Sequence, residues 1–303
     1  MTSKEYVEKL KTALAGRGDV TVASEILRYA SGRHEFLRLA SREIGPADKV
    51  MLVRAGIHGE ETAGPLTMLK HAGEIFDRAA ARGVKLIVYP LGNPSGFEAG
   101  TRYNADGDRG DAGNNDFLRY ELADGRLVDD LGAGGEFRRW LWSSDPAAQA
   151  RLPLETLAMH RALRADPLTQ IKAVLDLHQD LITPDAPPAA YHYSFGDLAV
   201  YAPIVSDLAA IVPLWRNTPI GAGFDVRIQA SGLAAPAVAD GQKIMSDDRG
   251  FIVRHDGTLP DLLWRLGAPY CVTAETTGAV PPERADAVNL RWLYGLVDLA
   301  AGG

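Results

Sequence analysis

Short apolar runs alternate with stretches of helical periodicity along this chain. Four compact apolar runs are typical of buried strands: 49–57, 84–91, 171–177 and 269–275. Apolar positions at helical spacing predict helices in five other places: 66–78, 153–165, part of 198–215, 261–266 and 285–299. This alternation predicts an α/β fold, with a mixed, mostly parallel sheet and helices on both faces.

Two further segments differ from this alternation. Residues 22–43 show partial apolar and polar alternation around a Ser31-Gly32 turn, which predicts a hairpin region at about 20–45. The segment from Asn93 to Asn115 is rich in Gly, Asn and Asp, which predicts a long ordered functional loop, with a flexible surface insertion as the alternative. Because no repeat or low-complexity linker marks a boundary, we expect residues 1–303 to form one domain.

Composition narrows the classes of partner. The 303 residues are 46% hydrophobic and 23% charged, which is typical of a folded globular protein. The net charge of -7 argues against a nucleic-acid scaffold, and the apolar runs are too short to cross a membrane. The N-terminus lacks the apolar segment of a secretory signal, so a cytoplasmic location is expected. Cys271 lies in an apolar run and is expected to be buried and inert.

Side chains able to bind a metal ion or move a proton follow three of the four predicted buried strands. They are His58, His178 and Glu275. Polar groups at the carboxyl ends of parallel strands converge on one crevice. Glu61 follows His58 by about one helical turn, so both side chains can reach one ion. Two histidines and one glutamate are a plausible ligand set for catalytic zinc.

Asp176 lies two residues before His178, so on a strand the two side chains share a face. The aspartate could orient the imidazole as a hydrogen-bond acceptor, whereas a solvated or core-bonded aspartate is the alternative. The other histidines are interpreted as surface or locally satisfied side chains: His34, His71, His160, His192 and His255. Of these, His192 and His255 could line the cleft.

The order of the motifs resembles the carboxypeptidase A-like zinc metallopeptidases, together with their aspartoacylase and succinylglutamate desuccinylase branch. The matching elements run from His58-x-x-Glu61 through Gly92-Asn93-Pro94, Gly100-Thr101-Arg102-Tyr103, an Asn-rich turn ending in Phe117, and Asp176-Leu177-His178 to Glu275 in TAETTG. The resemblance implies a zinc carboxypeptidase-like fold and one Zn²⁺ ion held by His58, Glu61 and His178. It also implies that Glu275 is the general base and that Arg102 polarises the scissile carbonyl.

One motif departs from the family pattern. The family commonly has Asn-Arg before the aromatic residue of the turn, where the arginine grips a substrate carboxylate, but this chain has Asn114 and Asn115 there. Asn114 can hydrogen-bond a carboxylate, whereas Asn115 cannot supply a charged fork. Either Arg109 or Arg119 substitutes from the same loop, or the substrate carries no free carboxylate at that position.

The sequence therefore predicts a zinc-dependent hydrolase of amide bonds, either a carboxypeptidase-like metallopeptidase or a peptide amidase. An N-acyl-amino-acid deacylase of the aspartoacylase or succinylglutamate desuccinylase type is the alternative, because the site chemistry is shared. A catalytically silent binding module is a third possibility, but it predicts erosion of the ligands or the base. The expected partner is a peptide or an N-acyl amino acid, with no nucleic acid and no membrane. The oligomeric state stays open.

Overall fold

An eight-stranded mixed sheet organises the part of the chain that the computed structural model describes. That part comprises residues 1–106, 119–122, 124–128, 137–141, 153–183, 185–220, 244–253 and 258–302. The α-helices are α1 Ser3–Ala13, α2 Ala63–Ala81, α3 Pro94–Ala99, α4 Leu154–Ala165, α5 Ala202–Ile211, α6 Leu259–Arg265 and α7 Pro282–Ala301. The strands are β1 Val20–Tyr29, β2 Gly32–Ser41, β3 Lys49–Ala55, β4 Val84–Tyr89, β5 Arg119–Leu122, β6 Leu127–Val128, β7 Phe137–Leu141, β8 Ile171–Asp180, β9 Ala190–Ser194, β10 Pro219–Ile220, β11 Ile244–Met245, β12 Phe251–Val253 and β13 Tyr270–Thr277.

The large sheet has the strand order β1-β2-β4-β3-β8-β13-β9-β12. Its central strands β4, β3, β8 and β13 are mutually parallel. On one side β2 and β1 continue the sheet in antiparallel fashion, and on the other side β9 is antiparallel to β13 and parallel to β12. The carboxyl ends of β3, β8 and β13 therefore meet at one edge, as expected for a sheet of this class.

Both faces of the central strands are buried under helices. On β3, Met51 and Val53 pack into a core with residues of α2 and α7, whereas Val50 and Leu52 pack into a second core with residues of α4 and α6. Successive side chains of a strand point to opposite faces, so an apolar run without alternation fills both cores. The predicted mixed, mostly parallel sheet with helices on both faces is confirmed.

The structure extends the sequence-based expectations at several points. The third buried strand continues to Asp180, so His178 lies within β8 rather than after its end. The segment that begins at Asn93 starts with helix α3, where the Asn93 side chain accepts a hydrogen bond from the Gly96 N–H at 2.9 Å. A helix of six residues is too short to show an apolar period, which is why sequence analysis did not predict it. The same holds for the short strands β9 and β12.

Of the histidines outside the proposed ligand set, three lie in the interior rather than at the surface, whereas His71 is partly exposed. His34, His160 and His192 are buried, and His34 Nδ1 lies 2.7 Å from Ser3 Oγ. His192 packs edge-on against Trp292, with ring centroids 4.8 Å apart. His255 lies outside the described residues. Cys271 is buried as expected, and this burial raises the pKa of its thiol. Among the described helices, none combines the length and the apolar character that a membrane span requires.

Candidate metal centre

Three potential ligands converge at the carboxyl edge of β3 and β8. His58 follows β3 by a short turn, Glu61 precedes α2, and His178 lies near the end of the neighbouring strand β8. One ligand atom from each of the three lies within 4.8 Å of the others. All three side chains are buried, which removes water as a competing partner and leaves the polar atoms facing one another.

The Glu61 carboxylate lies between the two imidazole rings. Its Oε1 is 2.7 Å from His58 Nδ1, and its Oε2 is 3.0 Å from His178 Nδ1. The two rings are 5.0 Å apart between centroids and are inclined by 69°. Two imidazole nitrogens and one carboxylate that converge in this way are the donor set of many catalytic zinc sites, so these residues fit a zinc ion.

The charges around this cluster favour a cation. Burial lowers the pKa of His58 to about 4, so at neutral pH its imidazole is neutral and can offer a lone pair. Burial acts against a charged His178 as well, but Asp176 and Glu61 outweigh it and raise its pKa well above the ordinary value. Although burial alone raises the pKa of Glu61, the two histidines hold it well below its usual range. A site that stabilises positive charge between carboxylates also attracts a divalent cation.

Asp176 contacts both His178 and Arg54, which fits the orienting and the core-bonded alternatives but not a solvated aspartate. Its Oδ2 lies 3.0 Å from His178 Nε2, on the side of the ring opposite Glu61. Asp176 also receives a bidentate contact from Arg54, whose Nε donates to Oδ1 at 2.9 Å and whose Nη2 donates to Oδ2. Burial raises the pKa of the Asp176 carboxyl, but Arg54 and His178 together lower it below its ordinary value. The carboxylate is therefore fully buried and charged.

Glu275 reaches the cluster from β13, on the other side of β8. The two strands are parallel, and Glu275 is the direct partner of His178 in the register. Its Oε1 lies 3.9 Å from His178 Nδ1, and its buried Oε2 has no hydrogen-bond partner among the described residues. Burial raises the pKa of Glu275 well above the ordinary value. A raised carboxyl pKa is the shift that a general base working near neutral pH requires.

Arg102 brings a positive charge to the same place. Its carbonyl accepts hydrogen bonds from the Gly59 N–H at 3.1 Å and from Asn93 Nδ2 at 3.2 Å. Its Nη1 donates to Glu61 Oε1 at 2.9 Å and lies 3.5 Å from Glu60 Oε1. Burial opposes the charge, but the two glutamates raise the pKa of Arg102, so the guanidinium stays positive.

The structure thus brings together six of the residues singled out from the sequence: His58, Glu61, Arg102, Asp176, His178 and Glu275. The proposed substrate-binding residues Asn114, Asn115 and Arg109 lie outside the described residues, and of Arg119 only the backbone is described, in β5.

Sequence analysis did not single out Arg54 or the contact of Glu60 with Arg102. The available signal for Arg54 was a charged residue inside an otherwise apolar strand.

Comparisons with known proteins bear on the fold and on the family resemblance. Residues 47–119 match the family model of the succinylglutamate desuccinylase/aspartoacylase catalytic domain. A Shewanella baltica structure assigned to the metallopeptidases covers 98% of this chain and 91% of its own, with a TM-score of 0.63 at 19% identity. A second structure assigned to the metallopeptidases, from Shewanella amazonensis, covers 99% of this chain and 93% of its own, with a TM-score of 0.62 at 22% identity. The resemblance to the carboxypeptidase A-like family and its aspartoacylase branch is confirmed.

A metallo-carboxypeptidase of Burkholderia cenocepacia has the same fold at greater distance. It covers 97% of this chain and 68% of its own, with a TM-score of 0.55 at 13% identity. A search of curated protein sequences finds no match. The carboxypeptidase-like fold therefore spans nearly the whole chain, whereas the sequence match is confined to the part that contains His58, Glu61 and Arg102.

Gly59 lies in close contact with the backbone of α3 and donates its N–H to the Arg102 carbonyl. A Cβ at this position would lie 2.1 Å from the backbone carbon of Gly96 and 2.4 Å from the Phe97 nitrogen. Because these backbone atoms can shift only at a cost in free energy, we expect Gly59→Ala to destabilise the protein by about 1–3 kcal/mol and to displace the Arg102 loop. Urea unfolding measures the loss of stability.

Gly73→Ala is the matched control, since Gly73 lies within α2 and the nearest atom to its added Cβ is Arg17 Nη1 at 3.6 Å. We expect that variant to be neutral or more stable by about 0.5–1 kcal/mol, because alanine favours a helix over glycine. Equal stability of the two variants would contradict the close packing at Gly59.

Proposed function

We propose that the protein is a zinc-dependent hydrolase of amide bonds. The observation that carries this proposal is the convergence of His58, Glu61 and His178 with Glu275 and Arg102 at the carboxyl edge of one sheet. The two histidines and Glu61 offer a donor set for zinc, Glu275 offers a base, and Arg102 offers a positive charge. Since all of these groups are present, a silent binding module is disfavoured.

The proposed chemistry divides between the metal ion and the side chains. A zinc ion held by His58, Glu61 and His178 would lower the pKa of a water molecule towards about 7. Glu275 accepts a proton from the attacking water, and its Oε2 is available for this role because no described residue occupies it. The same carboxyl group then gives the proton to the departing amine, so that the amine leaves as a neutral group.

Arg102 stabilises the negative charge that develops on the carbonyl oxygen of the substrate. Its contacts with Glu60 and Glu61 use Nη1, and a guanidinium carries five N–H donors in a fixed plane. A preorganised positive charge in a buried site acts strongly on developing charge, because little water screens it. The ion pair with Glu61 holds Arg102 beside the proposed metal ligands and so positions it for this role.

Two substrate classes share this chemistry. We favour a carboxypeptidase-like metallopeptidase or peptide amidase, and the metallo-carboxypeptidase fold over nearly the whole chain supports it. An N-acyl-amino-acid deacylase is the second candidate, and it is supported by the match of residues 47–119 to the desuccinylase and aspartoacylase catalytic domain. The two differ in the group on the acyl side of the scissile amide.

The metal ligands give the first test. We expect purified protein to hold about one zinc ion per chain and His178→Ala to lose both the zinc and the activity, because two ligands cannot hold the ion tightly. Elemental analysis of the dialysed proteins measures this. His71→Ala is the control. His71 pairs with Glu74 of α2 and Asp286 of α7 and not with the proposed ligands, so this variant should keep normal zinc content. Stoichiometric zinc in the His178→Ala variant would refute the ligand set.

Glu275→Gln tests the base. The amide is nearly isosteric, so zinc content and folding should persist while turnover falls by roughly 100-fold or more, the usual range for a lost general base. Glu60→Gln is the matched control, because this neighbouring carboxylate contacts Arg102 and should affect turnover less. If the Glu60 variant is the one that loses activity, the base is Glu60 rather than Glu275.

Substrate choice separates the two candidates. We expect release of amino acids from short peptides to exceed release from N-acetyl or N-succinyl amino acids. Because Asn115 cannot form a charged fork, peptides with an amidated C-terminus should be cut about as fast as free acids, without the roughly 1.5–3 kcal/mol of a charge-assisted bond. Kinetic constants for matched free and amidated peptides measure this. Exclusive cleavage of acylated amino acids would instead establish the deacylase.

A further inference from the structure

The centre of the sheet contains a buried ion pair that the proposed chemistry does not use directly. Arg54 on β3 is 1% exposed, and Asp176, its direct partner in the register on β8, is fully buried. Removing two charges from water is costly, and well-packed apolar residues in such a place are often equally stable or more stable. Stability of the fold therefore does not explain why this ion pair is buried in the sheet.

The contacts of Asp176 supply that reason. Its two oxygens receive the Nε and Nη2 of Arg54, a planar fork that fixes the plane of the carboxylate. The Oδ2 so fixed lies 3.0 Å from His178 Nε2. On the other side of the guanidinium, Arg54 Nη1 lies 3.8 Å from Met159 Sδ of α4, so the arginine is held from the helix as well as from the sheet.

The orientation of Asp176 determines which nitrogen of His178 can bind metal. An imidazole that binds a metal ion has lost its second proton and has one N–H donor and one lone pair. With Nε2–H donated to Asp176, the lone pair is on Nδ1, which faces Glu61 Oε2 at 3.0 Å and thus the proposed ion. A carboxylate free to rotate would hold the ring less well and would leave both tautomers accessible.

We propose that Arg54 is a positioning residue: it orients Asp176, which in turn holds His178 with Nδ1 directed at the metal. This inference rests on the proposed zinc site, but it does not depend on which amide the enzyme cleaves. Lysine could not replace Arg54, because an ammonium group is a point charge without a fork.

Zinc affinity, measured by competition with a chromogenic chelator, tests the proposal without any substrate. We expect Arg54→Met and Arg54→Lys each to weaken zinc binding by about 10–100-fold, the range found when a partner that orients a ligand is lost. Unchanged affinity in the methionine variant, or full affinity in the lysine variant, would overturn the proposal.

Arg38→Met is the matched control. Arg38 on β2 also pairs through Nε and Nη2 with a buried aspartate, Asp166, and in the described part of the chain neither residue contacts the proposed ligands. We expect this variant to lose stability in urea while its zinc affinity stays normal. An equal loss of zinc affinity in the Arg38 variant would show that any damage to the sheet weakens the site, and the specific role of Arg54 would be refuted.

A double variant keeps the test valid if Arg54→Met fails to fold because Asp176 is left unpaired. Arg54→Met combined with Asp176→Leu leaves no buried charge. Because both residues act through one contact to His178, we expect the double variant to lose no more zinc affinity than Asp176→Leu alone. If the double variant loses more zinc affinity than Asp176→Leu alone, Arg54 does not act through Asp176 and the proposal is wrong. Wild-type protein that binds zinc but cleaves no amide would refute the proposed function and leave the inference on Arg54 standing.

Discussion

The register of three parallel strands is the constraint on which the rest of the site depends. β8 lies between β3 and β13, so that Arg54 is opposite Asp176 on one side and Glu275 is opposite His178 on the other. A shift of one residue would turn every side chain of a strand to the opposite face. Such a shift is prevented because both faces of these strands are packed with buried apolar side chains, among them Val53 and Leu175 on one face and Leu52 and Val174 on the other. The hydrophobic cores thus set the positions of the charged groups.

Arg102 is positioned by close backbone contacts rather than by the sheet. The turn at Gly59 donates a hydrogen bond to the Arg102 carbonyl and lies against Gly96 at a distance that excludes any side chain. Asn93 both starts α3 and holds the Arg102 carbonyl. The glycines and Asn93 therefore fix the backbone around Arg102, and the side chain of Arg102 provides the positive charge.

Electrostatic balance explains why so many charges tolerate burial here. The carboxylates of Glu61 and Asp176 face histidines and arginines at hydrogen-bonding distance, which offsets the cost of removing them from water. In the described part of the chain, the ion-pair partner of Glu275 is the more distant His178, 3.9 Å away, and burial raises the pKa of Glu275 while that of Glu61 is lowered. The environment thus separates two neighbouring carboxylates into a candidate ligand and a candidate base.

The sequence by itself determined the α/β fold, the four buried strands and the positions of His58, His178 and Glu275, because compact apolar runs specify strands and polar residues near their ends specify one edge. It also indicated Asp176, since residues two apart on a strand share a face. It could not place Arg54 opposite Asp176, and it gave no sign that Gly59 lies against Gly96, because these contacts join positions far apart in the chain. Only the tertiary structure decided them: strand order and register, which no local pattern contains, fix which distant residues become neighbours.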